Sequence, residues 1–342
     1  MSVPTLEPAM KIGDVTVPGR VLMAPMTGVT DLPFRQIASA LGAPYVATEM
    51  VASDAFARGR PDVVRRAAVG EGLPLTVIQL VGRDPTAMAE GARLAEAAGA
   101  DIIDLNFGCP AKEVTGVLSG SALMRDLELS SRIIGSVADA VRCPVTVKMR
   151  LGWDRASMNA PELAARAEAL GAMAISVHGR TRCDFYNGQA DWSAVAAVRS
   201  AIRIPLIVNG DITDPESARA ALAQSGADAV MLGRGVYGQP WLAATLNADL
   251  TGGVHTLRGP DAVGRFQIVM DHLSRSICFY GEKHGIRMFR KHLGWYVLNA
   301  PWPGDASVRR EAKARLCRLE SPAEIEAALT RLWLGESTQI AA

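Results

Sequence analysis

Eight short apolar runs in this chain each end in a polar residue or cluster that could do chemistry. They deliver Pro25-Met26-Thr27, Glu49, Gln79, Asn106 with Cys109, Lys148 with Arg150, His178, Asn209-Gly210-Asp211, and Gly233-Arg234. Any one of these could be a cap or a loop residue. One from every run, always at the same end, describes the rim of a site. Cys109 lies in Asn106-Phe107-Gly108-Cys109-Pro110, where glycine and proline turn the chain out of the run and put the thiol on that rim. A thiol that keeps its proton near neutral pH can serve as a general acid, whereas Cys143, Cys278 and Cys317 are expected to be buried and inert. His178 opens His178-Gly179-Arg180-Thr181-Arg182 and is expected to point into the same mouth. His178 and Cys183 lack further ligands at metal-site spacing, so no metal is expected.

Asn209-Gly210-Asp211 and Gly233-Arg234-Gly235 suit an anion, because glycine lets backbone N–H groups approach and arginine adds charge. A phosphate held there, with Gln79 and Lys148 elsewhere around the mouth, points to flavin mononucleotide lying across the rim. A lysine near the flavin N1/O2 edge would stabilise the anionic reduced form. Two other uses of Lys148 stay open: an ion pair with Glu49 or Asp211, or a Schiff base.

The runs themselves read as buried parallel strands. They are continuous in Val, Ile and Leu rather than alternating, as when both faces of a sheet are covered. Four follow Gly-Ala pairs, at Gly42, Gly99, Gly171 and Gly226, and each pair closes an Ala-rich stretch of helical period. Three of those stretches open on proline, at Pro85, Pro161 and Pro215. Proline just inside the start and glycine just past the end punctuate a helix. Eight strands alternating mostly with helices predict a (β/α)8 TIM barrel over residues 1–250, and the strand ends named above are where such a barrel carries its chemistry. An open doubly wound sheet is the competing architecture, but no Gly-x-Gly-x-x-Gly follows the first strand.

After Leu250 the rhythm changes. A linker is expected around Gly253 and Gly259-Pro260. Helices are then expected at Phe266–Ile277 by period, across Ile286–Leu298, and from Ser321-Pro322 with Glu324 completing a capping box. A C-terminal helical domain over 255–336 follows. Net charge is only +1, but residues 283–318 hold nine basic residues against two acidic. Arg287, Arg290 and Lys291, at i, i+3 and i+4, are expected to share one face with Trp295 a turn later. Basic residues beside aromatics suit phosphate contact and base stacking, so RNA is the expected partner.

The composition, 49% hydrophobic and 21% charged in 342 residues, excludes disordered, collagenous and coiled-coil classes. No apolar run approaches the ~18 residues of a membrane span, and the N-terminus lacks a signal-peptide pattern. Five cysteines without a Cys-x-x-Cys pair make a disulfide scaffold or zinc ribbon a poor fit, so a reducing cytoplasm is expected.

Ala24-Pro25-Met26-Thr27-Gly28-Val29-Thr30-Asp31, Asn106-Phe107-Gly108-Cys109-Pro110-Ala111-Lys112, Lys148-Met149-Arg150, His178-Gly179-Arg180-Thr181-Arg182, Asn209-Gly210-Asp211-Ile212 and Arg290-Lys291-His292 with Trp295-Tyr296 together resemble the tRNA-dihydrouridine synthases, most closely the bacterial B subfamily once described as nitrogen-regulation proteins. The resemblance covers nearly the whole chain, in order. It implies FMN-dependent reduction of the uracil C5=C6 bond in tRNA, at a D-loop uridine (position 17), with NADPH as reductant. On that analogy Pro25, Met26, Thr27 and Gln79 line the flavin ring and Lys148 contacts it. Asn209, Gly210 and Asp211 meet the ribityl chain, Gly233 and Arg234 the phosphate, and His178 the flavin and target base. Cys109 gives the proton to C5 while flavin N5 gives hydride to C6. Asn106, Arg150, Arg180, Arg182, Arg287, Arg290, Lys291 and Trp295 are the expected tRNA contacts, and the chain is expected to be a monomer. Thr27 departs from an alanine common in the family. Two rival functions remain: an FMN barrel reducing a small molecule, against which the basic segment argues, and a tRNA-binding regulator with a dormant barrel, against which the complete rim argues.

Overall fold

The structure, a computed structural model, describes residues 7, 9–116, 118–252, 259–299 and 305–334. A short antiparallel hairpin, β1 (Met10–Ile12) and β2 (Val15–Val17), precedes eight parallel strands: β3 (Val21–Met23), β4 (Ala47–Ala52), β5 (Val77–Val81), β6 (Ile102–Phe107), β7 (Val145–Arg150), β8 (Ala174–His178), β9 (Leu206–Asn209) and β10 (Ala229–Leu232). Each strand pairs with its neighbour in sequence, β10 returns to β3, and a parallel bridge between Met23 and Val46 closes the ring. All eight expected runs are strands of this TIM barrel.

The continuous hydrophobicity has the expected cause. Along β3 and β10, Val21, Met23, Val230 and Leu232 pack outward against the helices, while Leu22, Ala24, Ala229 and Met231 fill the interior. The hairpin, which the sequence reading did not anticipate, plugs that interior from below with Met10, Ile12 and Val17. This leaves one open end, the mouth at the strand C-termini.

The helix punctuation also holds. Asp84 and Asp214 cap the helices Pro85–Ala97 and Pro215–Ser225, each accepting a backbone N–H, and Gly226 ends the second in the left-handed region at φ 65. Helices run over Ala262–Tyr280, Glu282–Asn299 and Pro322–Trp333, and a further one, Ala306–Leu316, was not anticipated. Phe266, Val269, Leu273, Phe289, Leu293, Val297, Leu316 and Leu329 make their separate apolar cluster. Ser321 does not form the expected capping box, since its side chain makes no cap bond. Cys278 is exposed and Cys143 and Cys317 are half-buried, so the three are not the buried thiols expected. The expected linker at Gly253, and the outer bounds of both expected domains (residues 1–6, 255–258, 335–336), lie outside the described residues. Among the described residues no helix is long and apolar enough to cross a membrane.

Candidate active site at the barrel mouth

Cys109 is set by the residue that ends β6. Asn106 accepts the N–H groups of Gly108 and Cys109 on its Oδ1, at 3.2 and 2.9 Å, which folds the strand end into a turn. Its amide donates to Gln79 Oε1 at 2.7 Å, and Gln79 donates in turn to Asp104 Oδ2 at 2.6 Å. Thr146 donates to the other Asp104 oxygen at 2.7 Å. Burial raises Asp104 to about 6 against these bonds. Cys109 is half-buried, and burial also raises its thiol above the ordinary range, so it carries its proton at neutral pH. Gly120 supports it from behind: a Cβ there would lie 2.8 Å from the Cys109 carbonyl oxygen.

Arg150 ties this turn to the next. It is 1% exposed, and it donates to the carbonyls of Gly108, Thr181 and Phe185, each at 2.8 Å. The structure thus makes it a brace between the Cys109 turn and the loop after β8, not the surface contact expected. Lys148, two residues earlier, donates to Asn209 Oδ1 at 3.2 Å, and Asn209 is itself held by the Met231 carbonyl. Burial, with the Arg150 charge, lowers Lys148 to about 8. Among the described residues no ion pair joins it to Glu49 or Asp211, which removes the structural-pair alternative.

His178 is buried beneath Tyr186, and burial together with Lys148 and Arg150 holds its imidazole neutral, well below its usual value. Its Nε2 faces an Arg180 Nη1 at 3.2 Å. A guanidinium only donates, so Nε2 accepts and the ring proton sits on Nδ1. Arg180 is 2% exposed and donates to both Asp211 oxygens, at 3.0 and 2.6 Å, and to the carbonyls of Asn187 and Gly188. It is therefore an internal strut, not the free RNA contact expected, and it engages the Asp211 carboxylate.

Of the glycines expected to cradle an anion, only Gly233 borders open space. Asp211 and Gly210 take positive φ, 53 and 116, and a Cβ at Gly210 would lie 2.8 Å from His178 Cδ2. Gly235 has no room either, its Cβ meeting the Ile212 carbonyl at 2.6 Å. Gly233, in contrast, has nothing within 4 Å of where a Cβ would be, and the adjoining Arg234 side chain is half-exposed over Tyr186 at 4.8 Å. Open space beside a glycine backbone, with a half-exposed guanidinium at its edge held only loosely by Asp211 at 3.7 Å, fits a phosphate. Pro25 and Met26 are half-buried and Thr27 is exposed. Thr30 Oγ1 accepts from the Met26 N–H, and Glu49 accepts from the Gly28 N–H, so this loop is fixed before any ligand binds.

The helical residues separate. Arg287 is exposed beside His284 Nδ1, whereas Arg290 turns to the Leu319 carbonyl and Glu320. Lys291 points the other way, with its Nζ 3.0 Å from the Cβ position of Gly28. The three do not form one outward face. Trp295 stacks on Tyr237 at 3.8 Å and 10°, which docks its helix on the Arg234 turn and takes one ring face from RNA. Exposed Arg310, Arg315 and Arg318 carry the outward charge instead. Arg182 lies over Trp153 and Phe185, each at 4.6 Å, and Arg125 covers Trp153 from 4.9 Å. Asp104, Tyr186, Trp153 and Arg125 were missed. Asp104 had a signal, a lone carboxylate within an apolar run. Tyr186 and Trp153 lie in loops and Arg125 ends the short helical turn Gly120–Arg125, with no signal in the sequence for any of them.

Residues 22–332 match the family profile described as Dihydrouridine synthase (Dus). A Rhodobacter capsulatus protein named "Probable tRNA-dihydrouridine synthase" is 50% identical over 292 residues, 85% of this chain and 90% of that one. A Pseudomonas aeruginosa protein named "tRNA-dihydrouridine synthase B" is 43% identical over 312 residues, 91% and 92% of the two chains. Among solved structures the fold is similar to "Morphinone reductase", with TM-score 0.54 and 17% identity over 77% of this chain and 93% of that one.

Proposed function

The chain belongs to the dihydrouridine synthase family, and from that premise we propose that it is a tRNA-dihydrouridine synthase of the bacterial B type, a flavin-dependent oxidoreductase that reduces uridine in tRNA to 5,6-dihydrouridine. The finer reading is that the flavin is FMN, the reductant NADPH and the target the D-loop uridine at position 17. The carrying observation is the mouth itself: a proton-bearing Cys109 and the open cradle between Gly210 and Arg234 share one rim.

Bound FMN, once reduced by NADPH, would supply hydride to uracil C6. The chain's own residues do the rest. Arg234 and the backbone beside Gly233 hold the phosphate, and Gly210, Asn209 and Asp211 edge the ribityl chain. Pro25, Met26, Thr27 and Gln79 wall the ring. Lys148 places a cation at the ring edge, aimed by Asn209. Neutral His178 offers a hydrogen bond to flavin or base without adding charge. Cys109 Sγ holds the proton destined for C5, and Asn106 fixes the turn that presents it. A uridine in folded tRNA must leave its stack to reach this mouth. The barrel (1–250) does the chemistry in this reading, and the helical part (255–336) grips RNA through Arg287 and the exposed arginines of 306–318. No metal takes part in the reaction, and the enzyme works as a cytoplasmic monomer.

The test is dihydrouridine content, position by position, in tRNA from cells lacking the gene and from cells carrying Cys109→Ala. Loss at position 17, restored by the parent gene and not by the variant, is expected. Full dihydrouridine with Cys109→Ala would remove the thiol from its role.

A further inference from the structure

Three buried residues with no part in this mouth meet where the helical segment covers the barrel. Asp31 caps the helix Leu32–Ala40, His272 comes from Ala262–Tyr280 and His292 from Glu282–Asn299. One ligand atom from each lies within 4.8 Å of the other two, and the residues are 5%, 0% and 3% exposed. We propose that Asp31, His272 and His292 bind a zinc ion that fastens the helical segment to the barrel.

The strongest observation is a pair of orphaned atoms. The Nε2 atoms of His272 and His292 are both buried, and neither has a hydrogen-bond partner. Buried polar atoms are almost always partnered, so two of them beside one carboxylate call for a ligand between them. The surroundings set the ligands up. His272 Nδ1 lies 3.1 Å from the Tyr296 hydroxyl. With its proton on Nδ1 donated to that oxygen, the ring leaves a lone pair on Nε2, the usual arrangement behind a metal-bound histidine. Asp31 is oriented the same way, accepting the Phe34 N–H on Oδ1 and the Tyr280 hydroxyl on Oδ2, and each oxygen keeps a further lone pair. Phe34 stacks on His292 at 5.4 Å and Phe289 meets His272 edge-on at 5.1 Å, so the rings have little freedom. Burial keeps both imidazoles neutral, as ligands must be.

Size and charge select the ion. Atoms no more than 4.8 Å apart admit a centre about 2.8 Å from each, so reaching the ~2.1 Å of a zinc bond asks each ligand to move by ~0.7 Å. Glu49 adds a second carboxylate nearby, but Lys291, Arg35 and Arg275 oppose it. That balance disfavours magnesium or calcium, which are held mainly by anionic oxygen, and favours an imidazole-seeking ion. A water would complete a tetrahedron. Sequence spacing could not reveal the site, because its three residues come from three separate elements.

Since the triad is buried, the full-length protein should be purified from zinc-supplemented culture, and a chelator-treated portion refolded with zinc chloride or cobalt chloride. The expected result is one zinc per chain by mass spectrometry, a higher melting temperature with zinc, and visible cobalt bands of tetrahedral nitrogen–oxygen ligation. His272→Gln and His292→Gln should lose the ion. His284→Ala, on a half-buried histidine of the same helix as His292 that is not one of the three ligands, should keep it. If the glutamine variants fold poorly, the cobalt spectrum of the parent protein decides alone. A parent protein with neither stoichiometric zinc nor cobalt bands overturns the proposal, as does loss of the ion in His284→Ala with retention in both glutamine variants. Flavin content and tRNA reduction are separate readouts, so this result stands or falls without them.

Discussion

Arg180→Met tests the charge balance beneath the anion cradle. The Arg180 guanidinium is buried and donates twice to Asp211, at 3.0 and 2.6 Å. Removing one partner of a buried ion pair costs about 3–5 kcal/mol. The Asp211 side chain is 30% exposed and keeps the Ala190 N–H and the Arg234 guanidinium at 3.7 Å, so about 2 kcal/mol is expected here. In a protein of this size that is a fall of ~3 °C in melting temperature. The cofactor should feel it more. The released carboxylate is a negative charge at the phosphate site, and it draws Arg234 toward itself. FMN affinity should fall by roughly ten- to a hundredfold, ~1.4–2.8 kcal/mol. Adding Asp211→Asn removes that charge, and asparagine tolerates the left-handed backbone at φ 53. The double variant should therefore recover most of the FMN affinity lost by the single one. Fluorescence titration of flavin-free protein measures the three constants, for the parent, the single variant and the double variant. The reasoning fails if Arg180→Met binds FMN as the parent does, or if the double variant binds no better than the single.

Three further outcomes are expected. Asp104 is raised from 3.8 to about 6 in the folded protein, so the folded state binds the proton more tightly than the unfolded one. Its stabilising share is complete below about pH 4 and fades as pH rises through 6, so the parent should gain on Asp104→Asn by on the order of 2–3 kcal/mol from pH 7 to pH 4, read from urea melts. Gly210→Ala should displace His178 and empty the flavin site, because its Cβ would lie 2.8 Å from the imidazole and φ there is 116; a variant retaining FMN on a desalting column would refute this. Arg287→Ala and Arg315→Ala should each reduce the salt slope of tRNA binding by ~0.7–0.9, whereas Lys291→Ala, turned toward Gly28, should leave it unchanged; equal slopes for all three variants would put Lys291 back on the RNA face.

The architecture was legible because its signals are local. Strand-length apolar runs, proline at helix starts and Gly-Ala at helix ends act within a few residues, and repetition around a ring amplified them. The identity of the rim followed, since a parallel barrel places every strand's last residue at one end. The hairpin plug was less visible: Met10–Ile12 and Val15–Val17 are three-residue strands whose burial depends on a barrel floor formed by distant residues. Charge misled at the helices for a related reason. Spacing places Arg290 and Lys291 next to each other, but adjacent residues on a helix point about 100° apart, and the barrel on one side and Glu320 on the other claim them separately.

The barrel, the end at which its chemistry belongs, and Cys109, Lys148 and Arg234 as groups on its rim are all legible in the order of residues along the chain. Folding sorts the polar groups into those that face the mouth and those that brace it. Arg150 and Arg180 have the same side chain as Arg234, yet they are buried and hold carbonyls and a carboxylate, while Arg234 stays half-exposed beside open space. It also decided the proton on His178, the raised Cys109 thiol and the meeting of Asp31 with two histidines. Residue type and period are properties of a few neighbours along the chain, whereas burial, tautomer and charge partner belong to neighbours in space that the chain brings together only on folding.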